Sequence, residues 1–283
     1  MTGAPHTPRG TLYLVGTPIG NLEDMTYRAA RVLREADLIA CEDTRQTRKL
    51  LDHYEISKPT VSYHEHNETG RSLELIEKLL AGARVALVSD AGMPLICDPG
   101  YRLVRAAVEQ GIRVEAVPGA SALVTALAAS GLATDSFHFG GFLPAKSGQR
   151  LRVLEALADE PCTLIFYDAP HRIVETLAGV EQTMGERPVV VARELTKVHE
   201  EFLRGPAAEV RAVLAARESV KGEITLLIGK RPAAAVDDTP VAEAVEVCMA
   251  RGMSRMEAIK TVAHRRGWPK REVYAELEKL KRG

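Results

Sequence analysis

The chain has 283 residues, 46% apolar and 27% charged, with a formal net charge of -1. That length can bury a full core in two domains with a small additional module. No apolar run approaches the roughly 20 residues of a membrane helix, and the opening MTGAPHTPRG has no signal-peptide apolar stretch, so a cytoplasmic, membrane-free protein with a disordered tail at 1–9 is expected. Cys41, Cys97, Cys162 and Cys248 are widely spaced with no CxxC pair, which points away from a zinc site and from a disulfide framework.

In chain order, TLYLV (11–15), DLIAC (37–41), TVSY (60–63), RVALV (84–88) and RVEAV (113–117) are short β-rich runs. Helical patterns such as YRAARVLREA and LELIEKLLAG separate them. This alternation predicts a five-stranded parallel α/β domain over 10–130. Parallel sheets place ligands outside the carboxyl ends of their strands, so the loops that follow each run are the candidates for a site.

GTPIGN (16–21) tightens the turn after the first run. It is not GxGxxG and lacks the acidic partner of a dinucleotide site, which disfavours nicotinamide and flavin. CEDTRQTR brings Glu42, Asp43 and Arg45, with an Asp or Thr N-cap as the plain alternative. YHEHNE brings His64, Glu65, His66, Asn67 and Glu68; its spacing is wrong for HExxH on one helical face, so no metal is expected there. VSDAGMP (88–94) is the most informative loop. Its small residues let a ligand approach the backbone, and Asp90 can accept from an amine or hydroxyl. Further on, Asp98-Pro99 reads as an N-cap with proline at N1.

From about 136 the pattern changes. FHFGGF, CTLIFY, PVVVAR, EEFLRG and EITLLIG predict a second sheet over 131–230, partly antiparallel and hairpin-like, with a cleft between the two halves. Its strand ends carry Lys146, Asp168, Arg172, Glu194 and Lys197. RPAAAVDDTP (231–240) reads as a linker, and 241–283 as three short helices resembling a helix-turn-helix module. Ser254 and Glu257 form a capping-box pattern there, and Pro269 fits the first turn of the last helix. Residues 251–283 hold ten Lys or Arg against four Glu. Such a segment is either a solvated face or a nucleic-acid patch.

The loops taken together are more specific than any one of them. GTPIGNLEDMTYRAARVLREADLIACEDTRQTRKLL, SYHEHNE, ALVSDAGMPLICDPG, VPGASALVTALAASGL, GFLPAK, FYDAPHRI and RELTKVHEE, in this order, resemble the tetrapyrrole-methylase superfamily of S-adenosylmethionine enzymes, in particular its branch acting on small-subunit ribosomal RNA. The resemblance covers about 10–230, and the basic tail is similar to that branch's C-terminal module. It implies S-adenosylmethionine as cofactor, 16S rRNA or the small ribosomal subunit as partner, a homodimer, and methyl transfer to the ribose 2'-oxygen of a cytidine in the decoding region.

By the same resemblance the cofactor would lie between the halves against Ile19, Asp90, Ala91, Gly92, Ala120, Ser121 and Tyr167. Asn21, Glu42, Asp43, Arg45, His64, Glu65, His66, Asn67, Arg172 and Lys197 would shape the substrate site. Lys146, Asp168 and Glu194 are the candidate base or positioning groups, unranked. Three positions depart from the family's usual pattern: Met93 for Thr, Cys97 for Ser and Asp168 for Glu. The rival readings are a superfamily methylase acting on a tetrapyrrole or on an elongation factor's modified histidine, and a non-catalytic RNA-binding assembly factor.

Overall fold

The computed structural model describes residues 9–231, 239–250, 253–266 and 268–282. Most of the tail expected at 1–9 and of the linker expected at 231–240 lies outside the described residues. The described residues through Lys230 form one compact unit, and those from Arg231 onward form another.

In the first unit, β1 (Thr11–Val15), α1 (Tyr27–Glu35), β2 (Leu38–Cys41), α2 (Thr44–His53), β3 (Thr60–Ser62), α3 (Glu68–Leu80), β4 (Arg84–Val88), α4 (Tyr101–Glu109) and β5 (Arg113–Val117) alternate along the chain. The strands make a sheet of order β3-β2-β4-β1-β5, parallel throughout. Period-two alternation explains why both faces are covered. Ala86 and Val88 of β4 meet Val32 and Leu33 of α1 and Leu51 of α2, whereas Val85 and Leu87 meet Leu75 and Leu79 of α3 and Leu103 of α4. Helix α1 starts where Thr26 accepts from the Ala29 amide at 3.0 Å, and its buried residues recur at helical spacing.

Helix α5 (Ala122–Ser130) leads into β6 (Phe137–Phe142), α6 (Ser147–Ala156), β7 (Thr163–Asp168), α7 (Ile173–Met184), β8 (Pro188–Arg193), β9 (Glu201–Pro206), α8 (Ala207–Ala215) and β10 (Ile224–Ile228). The second sheet runs β6-β7-β10-β8-β9; only β6 and β7 are parallel. Its antiparallel part is larger than one hairpin, because the last strand inserts between β7 and β8. Leu226 and Ile228 of β10 face α6, α7 and α8, while Leu227 faces the other way, onto Ala126 and Leu127 of α5 and onto Ile19 from the loop after β1. Arg204 of β9 donates to the Ala129 and Ser130 carbonyls at 2.7 and 3.0 Å, satisfying the end of α5. Arg187, fully buried, donates to the carbonyls of Ala158, Cys162 and Gly229 at 2.6 to 3.2 Å.

The second unit contains α9 (Val241–Ala250), α10 (Arg255–Arg266) and α11 (Lys270–Arg282), packed on Val245, Ile259, Val262, Val273 and Leu277. The capping box forms: Glu257 Oε2 accepts from the Ser254 amide at 2.9 Å, and Ser254 Oγ accepts from the Glu257 amide at 3.4 Å. Pro269 immediately precedes α11 and accepts from the Glu272 amide at 2.9 Å. Arg255, Lys260, Lys270 and Arg271 are exposed. Among the described residues no helix is long and apolar enough to cross a membrane.

Candidate functional site

The carboxyl ends of β1, β4 and β5 converge because two glycines let their loops touch. A β-carbon on Gly16 would stand 2.8 Å from Gly119 Cα and 2.7 Å from Met93 Sδ. Gly92 takes a φ of 83° and exchanges two backbone hydrogen bonds with Thr17, at 2.9 and 3.1 Å. These loops form one wall of a cleft of about 450 Å³, a volume typical of small-molecule sites. The other wall comes from the ends of β6, β7 and β8 and from the start of β10. Running antiparallel, β10 places Ile224 beside both Asp168 and Arg193, so its beginning joins its neighbours' carboxyl ends.

Of the residues expected at the cofactor, Ile19, Asp90, Ala91, Ser121 and Tyr167 line this cleft. Gly92 and Ala120 lie just behind: a β-carbon on Gly92 would be 3.4 Å from Ile19 and 3.5 Å from the Ala120 carbonyl. Asp90 Oδ1 accepts from the Asp43 amide at 3.2 Å. Its carboxyl sits above the usual range, through burial and then the neighbouring Asp43 charge. Burial pushes the Tyr167 phenol up to about 12, and Phe139 and Phe142 pack edge-on against its ring at 5.0 and 5.4 Å.

The three candidate bases separate. Asp168 lines the cleft, yet its side chain is fully buried, paired with Arg172 and accepting from the Ala169 amide at 2.9 Å, with Oδ2 left without a partner. Glu194 is outside the lining. It accepts from Lys197 Nζ at 2.8 Å and from the Glu223 amide at 2.9 Å, and the Lys197 hydrogen bond holds its carboxyl below the usual range. Lys146 is exposed at the start of α6, also outside the lining.

Most expected substrate residues carry local structure. Asn21 caps the 3-10 turn Leu22–Asp24, accepting from the Glu23 amide at 3.1 Å. Asp43 caps α2, accepting from the Arg45 amide at 2.8 Å and pairing with the exposed Arg45 guanidinium, which draws its carboxyl down to about 2. In YHEHNE, Asn67 accepts from the His64 amide at 2.9 Å and donates to the Ser62 carbonyl at 3.1 Å, while Glu65 and His66 are exposed. Arg172 pairs with Asp168 and donates to the Leu143 carbonyl at 2.8 Å; Lys197 joins Glu194 and Glu223. Glu42 faces Asp90, and burial, then that charge, raises its carboxyl.

The N-cap expected at Asp98 is corrected by the structure. Helix α4 begins at Tyr101 after Gly100, and its first amides are satisfied by Glu68, whose Oε1 accepts from Gly100 at 3.2 Å and Arg102 at 3.4 Å. Asp98 is thereby left in the cleft lining, beside Cys97 and Phe142. Its carboxyl is pushed up to about 6 by burial, then by the Glu42 and Asp90 charges, against a hydrogen bond from Ser89. A DPG tripeptide gives no sign of this, since Asp before Pro is the ordinary cap pattern. Of the three departures, Met93 and Cys97 also line the cleft, Cys97 with a φ of 68°.

The donor set fits a cationic sulfonium nucleoside. Carboxylates and a buried, unpartnered Asp168 oxygen suit its positive groups and hydroxyls, and Ile19, Leu195 and Ile224 suit an apolar ring. The family model described as Tetrapyrrole (Corrin/Porphyrin) Methylases matches residues 11–211. A Ribosomal RNA small subunit methyltransferase I from Halalkalibacterium halodurans is 52% identical, covering 94% of this chain and 94% of that one. A protein of the same name from Synechocystis is 47% identical, with 94% and 96% covered. Among solved structures, a uroporphyrin-III C-methyl transferase from Thermus thermophilus complexed with S-adenyl homocysteine superimposes with a TM-score of 0.53 at 22% identity, over 77% of this chain and 97% of that one, a likeness of fold. The chain therefore belongs to the tetrapyrrole methylases and, within them, to the ribosomal RNA small subunit methyltransferase I family.

Proposed function

We propose that this protein transfers a methyl group from S-adenosylmethionine to small-subunit ribosomal RNA, at the ribose 2'-oxygen of a cytidine in the decoding region of 16S rRNA. The observation that carries the reading is the two-walled cleft itself, which gathers five of the seven residues expected to hold the cofactor. When bound, the cofactor supplies an already activated methyl on a sulfonium, so the protein's task is alignment and exclusion of water. Asp90, with Ala91 and Ser121, binds and orients from the first wall; Tyr167 and Leu195 close the second and exclude water. The second unit is an RNA anchor with a basic surface, and the protein works in the cytoplasm as a homodimer.

The test incubates the full chain with methyl-labelled S-adenosylmethionine and small ribosomal subunits or naked 16S rRNA, then locates the label by nuclease mapping. Label on a decoding-region cytidine ribose is expected; label on a tetrapyrrole or on an elongation factor alone overturns the reading. Calorimetry adds a second criterion, because a non-catalytic assembly factor binds no cofactor. If about four cations of the second unit meet phosphates, deleting 240–283 makes the log-log salt dependence of RNA binding shallower by roughly 3.

A further inference from the structure

We propose that Asp98 takes the proton from the acceptor hydroxyl during methyl transfer, an assignment that rests on the methyltransferase reading of the cleft. A ribose hydroxyl is a poor acid, and its oxygen attacks well only as the proton leaves. A suitable acceptor must face the cleft, be unpaired with any cation, and be ionised at working pH.

Among the described residues lining the cleft, the other groups fail one of these conditions or are engaged elsewhere. Asp168 is tied to Arg172. Glu223 accepts from Lys197 Nζ at 2.9 Å. The Cys97 thiol is raised by burial and the Tyr167 phenol stands near 12, so both stay protonated. Asp90 also faces the cleft unpaired, but its Oδ1 is engaged by the Asp43 amide and it is the carboxylate assigned to the cofactor.

Asp98 meets all three. Glu68 has taken over the cap of α4, so the Asp98 carboxylate is free to turn to the cleft. The groups facing it are Ser89 and Asp90 after β4, Glu42 after β2 with His64 beyond, Tyr167 at the end of β7, and Cys97 on its own loop. Neither Lys nor Arg is among them. Its carboxyl near 6 is ionised at neutral pH yet far more basic than an ordinary aspartate. In the step, the hydroxyl gives its proton to Asp98 while its oxygen forms a bond to the methyl carbon. The carbon–sulfur pair remains on sulfur, leaving the neutral thioether, and Asp98 then releases the proton to solvent.

The experiment compares wild type with Asp98→Asn and Asp98→Glu in single-turnover methylation of small subunits across pH 5 to 9. Wild-type rate is expected to fall below about pH 6. Asp98→Asn loses about 100-fold to 10,000-fold and loses that acid limb, while Asp98→Glu keeps the limb with part of the rate. Two readouts are independent of turnover. Carboxyl-carbon NMR of the free wild-type protein shows an aspartate titrating near 6 that is missing in Asp98→Asn, and calorimetry shows cofactor affinity unchanged within about threefold.

Because the folded state raises this carboxyl, its contribution to stability is full below the ordinary aspartate range and is lost as pH rises through 6. Asp98→Asn is therefore expected to unfold at the same or a higher temperature than wild type at pH 7.5. A folded Asp98→Asn protein with wild-type rate and acid limb overturns the assignment. So does a wild-type spectrum in which no aspartate titrates above 5, a result that holds even if the variant fails to fold. If wild type binds cofactor but transfers no label to ribosomal RNA, the function reading falls and this role with it. Transfer by wild type with an unchanged Asn variant overturns the proton role alone.

Discussion

The two walls of the cleft use the same residue types in opposite ways. On the first wall, Asp90 and Asp98 line the cleft with Glu42 behind them; no cation is among the groups that shift them, apart from the His64 ring near Glu42, and burial and neighbouring carboxylates raise all three. On the second, Asp168 pairs with Arg172 and Glu223 with Lys197, and behind the lining Glu194 pairs with Lys197 and Glu201 with both Arg193 and Arg217. Carboxylates of the second wall are neutralised within the fold and hold strand ends in place; those of the first remain available to a ligand at some cost to stability. A paired acid serves the architecture, and an unpaired one in a cleft serves chemistry.

The largest expected effect breaks the second wall. Arg172→Ala leaves the buried Asp168 carboxylate without its partner and frees the Leu143 carbonyl, and should cost about 3–5 kcal/mol in urea unfolding. A loss under about 1 kcal/mol would show that this pair is not structural. Asp90→Ala probes the first wall. Calorimetry should show cofactor binding weakened by roughly 1.5–3 kcal/mol, with folding stability changed by less than about 0.5 kcal/mol. Wild-type affinity in the folded variant would remove Asp90 from the cofactor site.

A smaller effect belongs to Glu201, whose carboxyl is drawn down to about 2, first by Arg217. A depressed folded value means that the stabilisation is present above the ordinary glutamate range and is lost as pH falls through 2. Discounted for partial exposure, Glu201→Gln should cost about 1 kcal/mol at pH 7, and the variant and wild-type unfolding curves should converge as pH falls from 4.5 toward 2. The smallest effect sharpens the first wall. Glu42→Gln removes a like charge facing Asp98, so the Asp98 titration followed by carboxyl-carbon NMR should move to lower pH while stability at neutral pH holds or rises. An unmoved titration would mean that burial and the Asp90 charge set it without Glu42.

Much of the architecture was legible in the chain. Apolar runs bounded by Gly, Pro and polar residues marked all ten strands to within a residue or so, because burying a strand demands a local composition that nothing else in a helix-rich neighbourhood imitates. The glycines of GTPIGN and VSDAGMP likewise marked a tight turn and a loop open to a ligand, whereas the contact of Gly16 with Gly119 came only with the structure. The placement of charges was another matter. Glu194, Lys197, Asp43 and Arg172 look like site residues in sequence because they sit at strand ends, but whether each faces a ligand or a neighbour depends on what lies across from it.

By itself the sequence determined the strand and helix order, the glycine-bearing loops at the strand ends and the capping box of the C-terminal helices, all features set by interactions within a few residues. Only the tertiary structure decided that β10 inserts antiparallel between β7 and β8, that Lys197 is spent on Glu194 and Glu223, and that Glu68, thirty residues before Asp98, caps α4 in its place. The reason is physical. A backbone amide or a buried charge must be satisfied by some partner, yet any acid within reach will serve, and which acids are left over for chemistry emerges only once the chain has closed.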